Sequence, residues 1–579
     1  MKEFFLILML MTFIVGCDNN GGNDFVPSNS QFISDPNNVA EPGFDTETQL
    51  PIPIVVNAVD DSIQPNTDST MGNNYVSHQT CTGCHSSNGT DTNTETGSGE
   101  DVAPGTGWRA TMMANSMRDP YFRARLVSEI NRFPSKSALI QDECLRCHAP
   151  MLSEQNRLDN GSTAMLDFAT ASTSGLGRDS VSCTLCHQID DTNLEDAFNG
   201  VLPLNTNFDI YGPYSIPTIP PGGMNGFNAV GPAIGSTSHI EESRLCAGCH
   251  VLRTEAFDSN GTATGLIFTE QATFSEYLNS SFPAQGTTCQ DCHMPVITGS
   301  TKLELLDFPR SPFYRHTFVG GNSLMLKLFR DNTVALGTVA TVAEFDQKIL
   351  ETDANLAAAA DLDVNIVSSL GNRLQLTVNV ENLTGHKLPS GYPSRRMWLH
   401  VVVRKAGVGS ILFESGRFDS RGLIFGVDLG SIYAGFEPHH EIITQQEEVQ
   451  IYEGVLGDLD ENVTFSLHSA DSYLKDNRIP PLGFSTTHPL ISDMEIKGDA
   501  ALDSNFNVAG SDTVTYDISS IDLSSGATIL VELCFQAVGP AHVQDLRRFN
   551  VGEVNKFIQF FDTTDTRPTI IASQTLSTP

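Results

Sequence analysis

From Asp361 onward the hydrophobic positions repeat every second residue. Leu362, Val364 and Ile366 alternate with polar residues, and Leu374, Leu376, Val378 and Val380 alternate with Gln375, Thr377 and Asn379. Ile529, Val531, Leu533 and Phe535 repeat the pattern late in the chain. A period of two, with turn residues between the runs, predicts strands that bury one face. Residues 361–579 therefore read as an antiparallel all-β sandwich, with Cys534 a free thiol on the face opposite the late apolar run. Residues 326–360 read instead as a helical connector. There Thr341 and Glu344 form a capping-box pattern ahead of Val342, Phe345 and Ile349.

Upstream the pattern weakens. Residues 71–325 are rich in Gly, Pro, Ser and Thr, which predicts mostly irregular structure with some α-helix. Gly107 to Leu126 is the strongest amphipathic stretch. It breaks at Asp119-Pro120 and resumes, and helical spacing would put Met113 and Met117 on one face. Leu139–Glu143 and Ile240–Leu245 also have helical character. The β-sandwich of 361–579 is expected to be immunoglobulin-like, from its strand patterning alone.

Residues 18–70 are rich in Asn, Asp, Ser, Gly and Pro and poor in aromatics. Such a segment buries too little apolar surface to order itself, and as a flexible coil it spans roughly 40 Å root-mean-square. It reads as a tether. Residues 1–17 read as an export signal: Lys2 is positive, and Phe4 to Val15 is an apolar run short for a membrane span. The run ends in I-V-G-C, which resembles a bacterial lipoprotein signal and implies lipidation of Cys17. The alternative is a plain secretory signal with an incidental cysteine. The expected location is exported and lipid-anchored, periplasmic or cell-surface, at the outer rather than the inner membrane.

The 579 residues leave room for two to four domains, and their formal net charge is −36. That balance excludes nucleic acid as a partner, because phosphate binding needs a basic surface. It suits a well-hydrated surface, or the steering of a basic partner.

The chemistry is in the cysteines. C-x-x-C-H occurs five times: Cys81, Cys84 and His85; Cys144, Cys147 and His148; Cys183, Cys186 and His187; Cys246, Cys249 and His250; Cys289, Cys292 and His293. Two thiols at this spacing can add across the vinyl groups of a haem, and the adjacent His then ligates the iron. One copy could be chance or half of a zinc site. Five copies use ten of the twelve cysteines, which predicts five covalent haem c groups. The first cysteines are spaced by 63, 39, 63 and 43 residues, and the alternation suggests a two-haem repeat of 102 residues.

Each iron has a second axial position. Beyond the motif histidines, only His78, His239 and His316 lie in the haem region. Three cannot serve five irons. The β region could lend a His, methionines (Met112, Met113 or Met117) could ligate, an iron could stay open, or a neighbouring subunit could donate a His. His386, in T-G-H-K-L-P-S-G-Y-P, is the best donor from the β region, because Gly385, Pro389 and Gly391 fix a loop that presents it outward. His439 and His440 are weaker candidates, and His400 reads as structural. The expected metal set is thus the five motif histidines with His78, His239, His316 and His386.

W-R-A-T-M-M-A-N-S-M-R-D-P-Y, V-S-C-T-L-C-H, T-C-Q-D-C-H-M-P, R-H-T-F-V-G-G-N and T-G-H-K-L-P-S-G-Y-P-S-R-R-M-W-L together resemble bacterial multihaem c-type cytochromes of the broad cytochrome c-554/hydroxylamine-oxidoreductase-like group. The resemblance spans residues 105 to 400 and implies closely stacked haems and extracytoplasmic electron transfer. It does not identify one activity. Nitrite reductases of the wider group replace one motif His by Lys, whereas all five motifs here end in His. Hydroxylamine oxidoreductases need a haem-linked tyrosine, and nothing marks Tyr314 for that role.

The resulting expectation is a pentahaem electron carrier with no catalytic residues, relaying electrons between redox partner proteins or to an extracellular acceptor. It would touch the membrane only through its N-terminal anchor. The alternatives are an oxidoreductase with one open haem acting on a small nitrogen or sulfur compound, and an oligomeric cytochrome filament.

Overall fold

The helix Pro120–Arg132 joins the two halves of the chain. Pro120 occupies its first turn, where no amide donor is missed, and the Asp119 carboxylate caps it by accepting from the Tyr121 and Phe122 amides. One face places Tyr121 and Ala124 in the large core that contains the β-strands. The other places Phe122 and Leu126 against Ile140 and Leu145. The polar positions are buried as well, so each needs a partner. Arg125 pairs with Asp545 at 2.8 Å, Arg123 with Glu553 at 2.6 Å, and Glu129 accepts from the Ser466 hydroxyl at 2.7 Å.

This computed structural model describes residues 72–83, 85–86, 100–206, 209–214, 233–234, 238–297, 301 and 311–578. The expected signal peptide with Cys17, the tether, and Cys84 lie outside the described residues.

The cysteine-rich half is more helical than its composition predicts. Helices at Ser137–His148, Cys183–His187, Arg244–His250 and Cys289–His293 each end on a motif histidine. A helix places the two cysteines of a motif about one turn apart on one face, with the histidine beside them. The Cys289 helix is started by a capping box of Thr288 and Asp291. Ile240–Leu245 is not one helix: a 3-10 turn, Ser238–Glu241, precedes the helix at Arg244. Nor do Met113 and Met117 share a helix face. After the helix Pro104–Arg109 the backbone runs through consecutive three-residue turns to Arg118. The Asn115 amide donates to the Arg109 and Thr111 carbonyls, and the Thr111 hydroxyl accepts from the Ala114 amide; these bonds compete with the helix.

Short strands also occur in this half. β1 (Ile210–Tyr211) and β2 (Ala233–Ile234) are a parallel pair, and β3 (Leu252–Phe257) and β4 (Ala263–Gln271) form an antiparallel pair. The connector holds two helices, Ser323–Asp331 and Val342–Ala357. The Thr341–Glu344 capping box starts the second, and Phe329 stacks on Phe345 between them.

The remaining strands are β5 (Ala360–Leu370), β6 (Arg373–Asn382), β7 (Arg396–Lys405), β8 (Ile411–Ser415), β9 (Ile442–Ile443), β10 (Ile451–Asp458), β11 (Val463–Thr464), β12 (Ala470–Asp476), β13 (Ser511–Ile518), β14 (Ala527–Gln536) and β15 (Thr569–Ser577). One sheet has the order β5-β6-β13-β9. The other runs β11-β10-β7-β14-β15, with β8 paired to β7 and β12 to β10. Pairing is antiparallel except between β9 and β13. Leu374, Leu376, Val378 and Val380 of β6 and Ile529, Val531 and Leu533 of β14 meet in one core. β7 is buried on both faces along most of its length. Its far face, with Trp398 beside Cys534, is covered by Ile424 and Val449.

Residues 361–579 are not all β. Two helices, Pro540–Leu546 and Gly552–Thr563, follow β14, and the second packs on Pro120–Arg132. Its buried positions, Val554, Phe557, Phe560 and Phe561, follow helical spacing rather than period two.

Candidate metal-ligating histidines

Two motif histidines face histidines from elsewhere in the chain. The rings of His187 and His316 are 6.3 Å apart between centres, with planes 13° apart. Those of His293 and His386 are 6.4 Å apart, with planes 22° apart. Two imidazoles that ligate one metal ion from opposite sides, each about 2 Å from it, bring their ring centres about 6 Å apart.

The tautomers agree with that spacing. Nδ1 of His187 donates to the Tyr211 carbonyl at 2.7 Å, that of His293 to Val319 at 2.5 Å, that of His316 to Tyr314 at 3.1 Å, and that of His386 to Lys387 at 2.9 Å. A carbonyl only accepts, so Nδ1 carries the proton and Nε2 keeps its lone pair. Metal-ligating histidines show this arrangement. Burial pushes the pKa of His316 down to about 3, with His187 and His85 adding to the effect, and it lowers His187 and His386 too. Neutral imidazole is the form that binds metal.

His148 and His78 follow the same pattern. His148 donates from Nδ1 to Ser116 at 3.0 Å, and Phe122 stacks on its ring with centres 3.5 Å apart. His78 is buried and bonds the Asp179 carboxylate through Nδ1; although burial opposes it, the His78 contact holds Asp179 below the usual carboxylate range. His239 is reversed. Its Nε2 donates to Ile189 at 2.8 Å, and its buried Nδ1 has no hydrogen-bond partner among the described residues. His250 is reachable by water yet deep enough for burial to push its pKa down to about 4, with His293, Arg395 and His386 adding to the shift. All the described motif cysteines likewise keep some exposure.

The motifs also touch one another. Cys81 neighbours Cys183, Cys246 neighbours Cys289, and Cys249 neighbours both Cys147 and Cys186. Contact order therefore differs from chain order, and the Cys246–His250 motif neighbours three others.

The remaining histidines of the β region use their nitrogens structurally. His400 bonds Glu532 and Glu414, and His440 bonds Glu437. His439 sits in a trio with Asp503 and Asp512 whose polar atoms converge. Its Nδ1 accepts from Gln450 at 2.8 Å and Asn477 at 3.1 Å, so Nε2 carries the proton and donates to Asp503 at 3.1 Å. That tautomer has no lone pair to offer a metal at Nε2. Met117, weighed as a ligand, is buried in the core around Phe122 and Leu126.

Sequence reasoning missed what holds His386 in place. The next residue, Lys387, is fully buried. Its ammonium donates to Asp476 at 2.7 Å, and its amide donates to Glu276 at 3.1 Å. Arg478 pairs with Asp476 at 2.6 Å and Glu276 at 3.4 Å, and the Ser390 hydroxyl donates to Glu276 at 2.7 Å. Glu276 belongs to the cysteine-rich half, so this cluster ties the His386 loop across to it. A basic residue directly after a candidate ligand was the only signal in the sequence.

No family model matches the chain, and no curated protein matches it. Among solved structures, the chain is similar to a penta-heme cytochrome c552 from Thermochromatium tepidum, with 16% identity, 88% of this chain and 100% of that chain covered, and a TM-score of 0.47. HBP35 of Porphyromonas gingivalis matches at 11% identity, over 42% of this chain and 47% of that chain, with a TM-score of 0.14.

Proposed function

We propose that this chain is an exported electron carrier whose five C-x-x-C-H motifs hold covalent haem c. The observation that carries this reading is the pairing of His187 with His316 and of His293 with His386, at the spacing and in the tautomer that two axial ligands of one metal require. Haem held there supplies one-electron redox chemistry. His187 and His316 would hold one such haem, and His293 and His386 another, the motif histidine on one side and its facing histidine on the other. His148 and His78 offer Nε2, and His239 offers Nδ1. The thiol contacts support a relay from the Cys81 motif through Cys183 and Cys246 to Cys289, with the Cys144 motif joining at Cys246.

The β region contributes a ligand through His386, which also closes that site. The orders β5-β6-β13 and β15-β14-β7-β8 support an immunoglobulin-like reading as A-B-E and G-F-C-C′, from which β9 departs because it pairs with β13 in parallel. Anchoring through Cys17 at the outer membrane and exchange with redox partner proteins or an extracellular acceptor complete the proposal.

EPR of the oxidised full-length protein, with carbon monoxide added to the reduced form, tests it. Low-spin signals without carbon monoxide binding are expected, the one axial position that the nine histidines leave being filled by a methionine or by a histidine of a neighbouring subunit. A high-spin ferric signal with carbon monoxide binding would favour an oxidoreductase with an open iron instead.

A further inference from the structure

Most buried guanidinium groups among the described residues come with carboxylates. Arg125 has Asp545, Arg396 has Asp428 at 2.7 Å, and Arg478 has Asp476. The physical reason is the cost of taking an unpaired charge out of water. Arg118 lacks such an ion pair but donates to the Gly337 and Ala114 carbonyls and feels the charge of Asp179.

Arg395 differs. It has no carboxylate partner among the described residues, and its one hydrogen bond runs from Nη1 to the Ser390 carbonyl at 2.6 Å. Burial alone pushes its pKa down to about 10. It still keeps some exposure. Arg395 stands in the same β6–β7 loop as His386, and its charge helps to lower the pKa values of His250 and His386. Gly391 has φ +83°, a backbone conformation that favours glycine, and it packs beside the guanidinium, where a Cβ would lie 2.9 Å from Arg395 Nη1.

We propose that Arg395 binds the carboxylate side groups of the haem bracketed by His293 and His386, and that its charge raises that haem's reduction potential. The proposal rests on the haem reading above. A planar guanidinium presents paired donors that match a carboxylate, and most of the five donors of Arg395 remain for it. A fixed positive charge beside the iron favours the reduced form, which carries one positive charge fewer. The same donors would suit a soluble anion, so the test must separate the two sources.

The experiment is a spectroscopic redox titration of the full-length, haem-loaded protein as wild type, R395Q and R395K. In R395Q we expect one midpoint to fall by at least a tenfold change in its reduction equilibrium, about 59 mV for one electron. The other four midpoints, the haem content and the low-spin EPR signals should stay unchanged, because Arg395 is not an axial ligand. R395K keeps the charge without the fork and should show a smaller shift of the same sign; it carries the test if R395Q does not fold. Five midpoints that superimpose on wild type in the variants would overturn the proposal. So would a wild-type midpoint that moves on adding formate or phosphate while that of R395Q does not, since the occupant would then be a solution anion. A wild type without covalent haem would sink the haem reading itself, which is a different outcome.

Discussion

His293 ends a five-residue helix in the cysteine-rich half, His386 follows strand β6, and their rings face one another with centres 6.4 Å apart. Neither ring is held by local structure alone. Val319, from the approach to the connector helices, accepts from His293, and the Lys387 cluster pins the loop that carries His386. The pair therefore exists only when both halves of the chain are folded together.

On the proposed haem assignment, replacing His386 by Ala should leave haem content unchanged, because covalent attachment would depend on the cysteines. One low-spin EPR signal should be replaced by a high-spin signal that responds to carbon monoxide. His316→Ala should do the same to a different haem. An unaltered low-spin spectrum in either variant would remove that residue from the ligand set.

Lys387→Met removes one cation from a buried carboxylate. Breaking a buried pair costs about 3–5 kcal/mol, and Asp476 keeps Arg478, so a loss near 3 kcal/mol is expected in urea unfolding. A loss under about 1 kcal/mol would mean that Arg478 alone satisfies Asp476.

His468 sets a pH dependence. Burial opposes its charge, but Glu129 and Glu143 raise its pKa from 6.5 to about 9. The Glu143 contact is 3.2 Å; the Glu129 contact, at 3.5 Å, is an ion pair rather than a well-formed hydrogen bond. A folded-state pKa above the unfolded value contributes stability that is complete below pH 6.5 and lost as pH rises through about 9, on the order of 3 kcal/mol. Denaturation series across that window should show the decline in wild type and a flatter profile in His468→Gln.

Thiol counting checks the haem stoichiometry. Twelve cysteines less ten in the motifs leave Cys17 and Cys534. With Cys17 lipidated, the denatured protein should titrate one thiol. The native protein should titrate none, since Cys534 is buried beneath Trp398 and burial raises its pKa well above the ordinary thiol range. Three or more thiols in the denatured protein would mean that at least one motif is not alkylated by haem.

Much of the local structure was legible. The period-two runs became β5, β6 and β14 because alternation maps directly onto the two faces of a strand. The Thr341–Glu344 box formed because its contacts span only three residues. The turns at Met112–Arg118 were not legible: amphipathic spacing does not register that Thr111 and Asn115 compete for the backbone. The helices after β14 escaped because the all-β pattern was extended across them.

The sequence by itself determined the chemistry of the ligands: five C-x-x-C-H motifs, a shortage of further histidines in their own region, and His386 on a loop stiffened by Gly and Pro. Only the tertiary structure decided which histidine faces which, that Lys387 and Glu276 hold one of them, and that Arg395, in the loop of His386, has no carboxylate partner among the described residues. Motif spacing is a property of neighbouring residues and survives in the linear text. A ring-to-ring approach across the two halves depends on the path of the whole chain and on the burial that only that path creates.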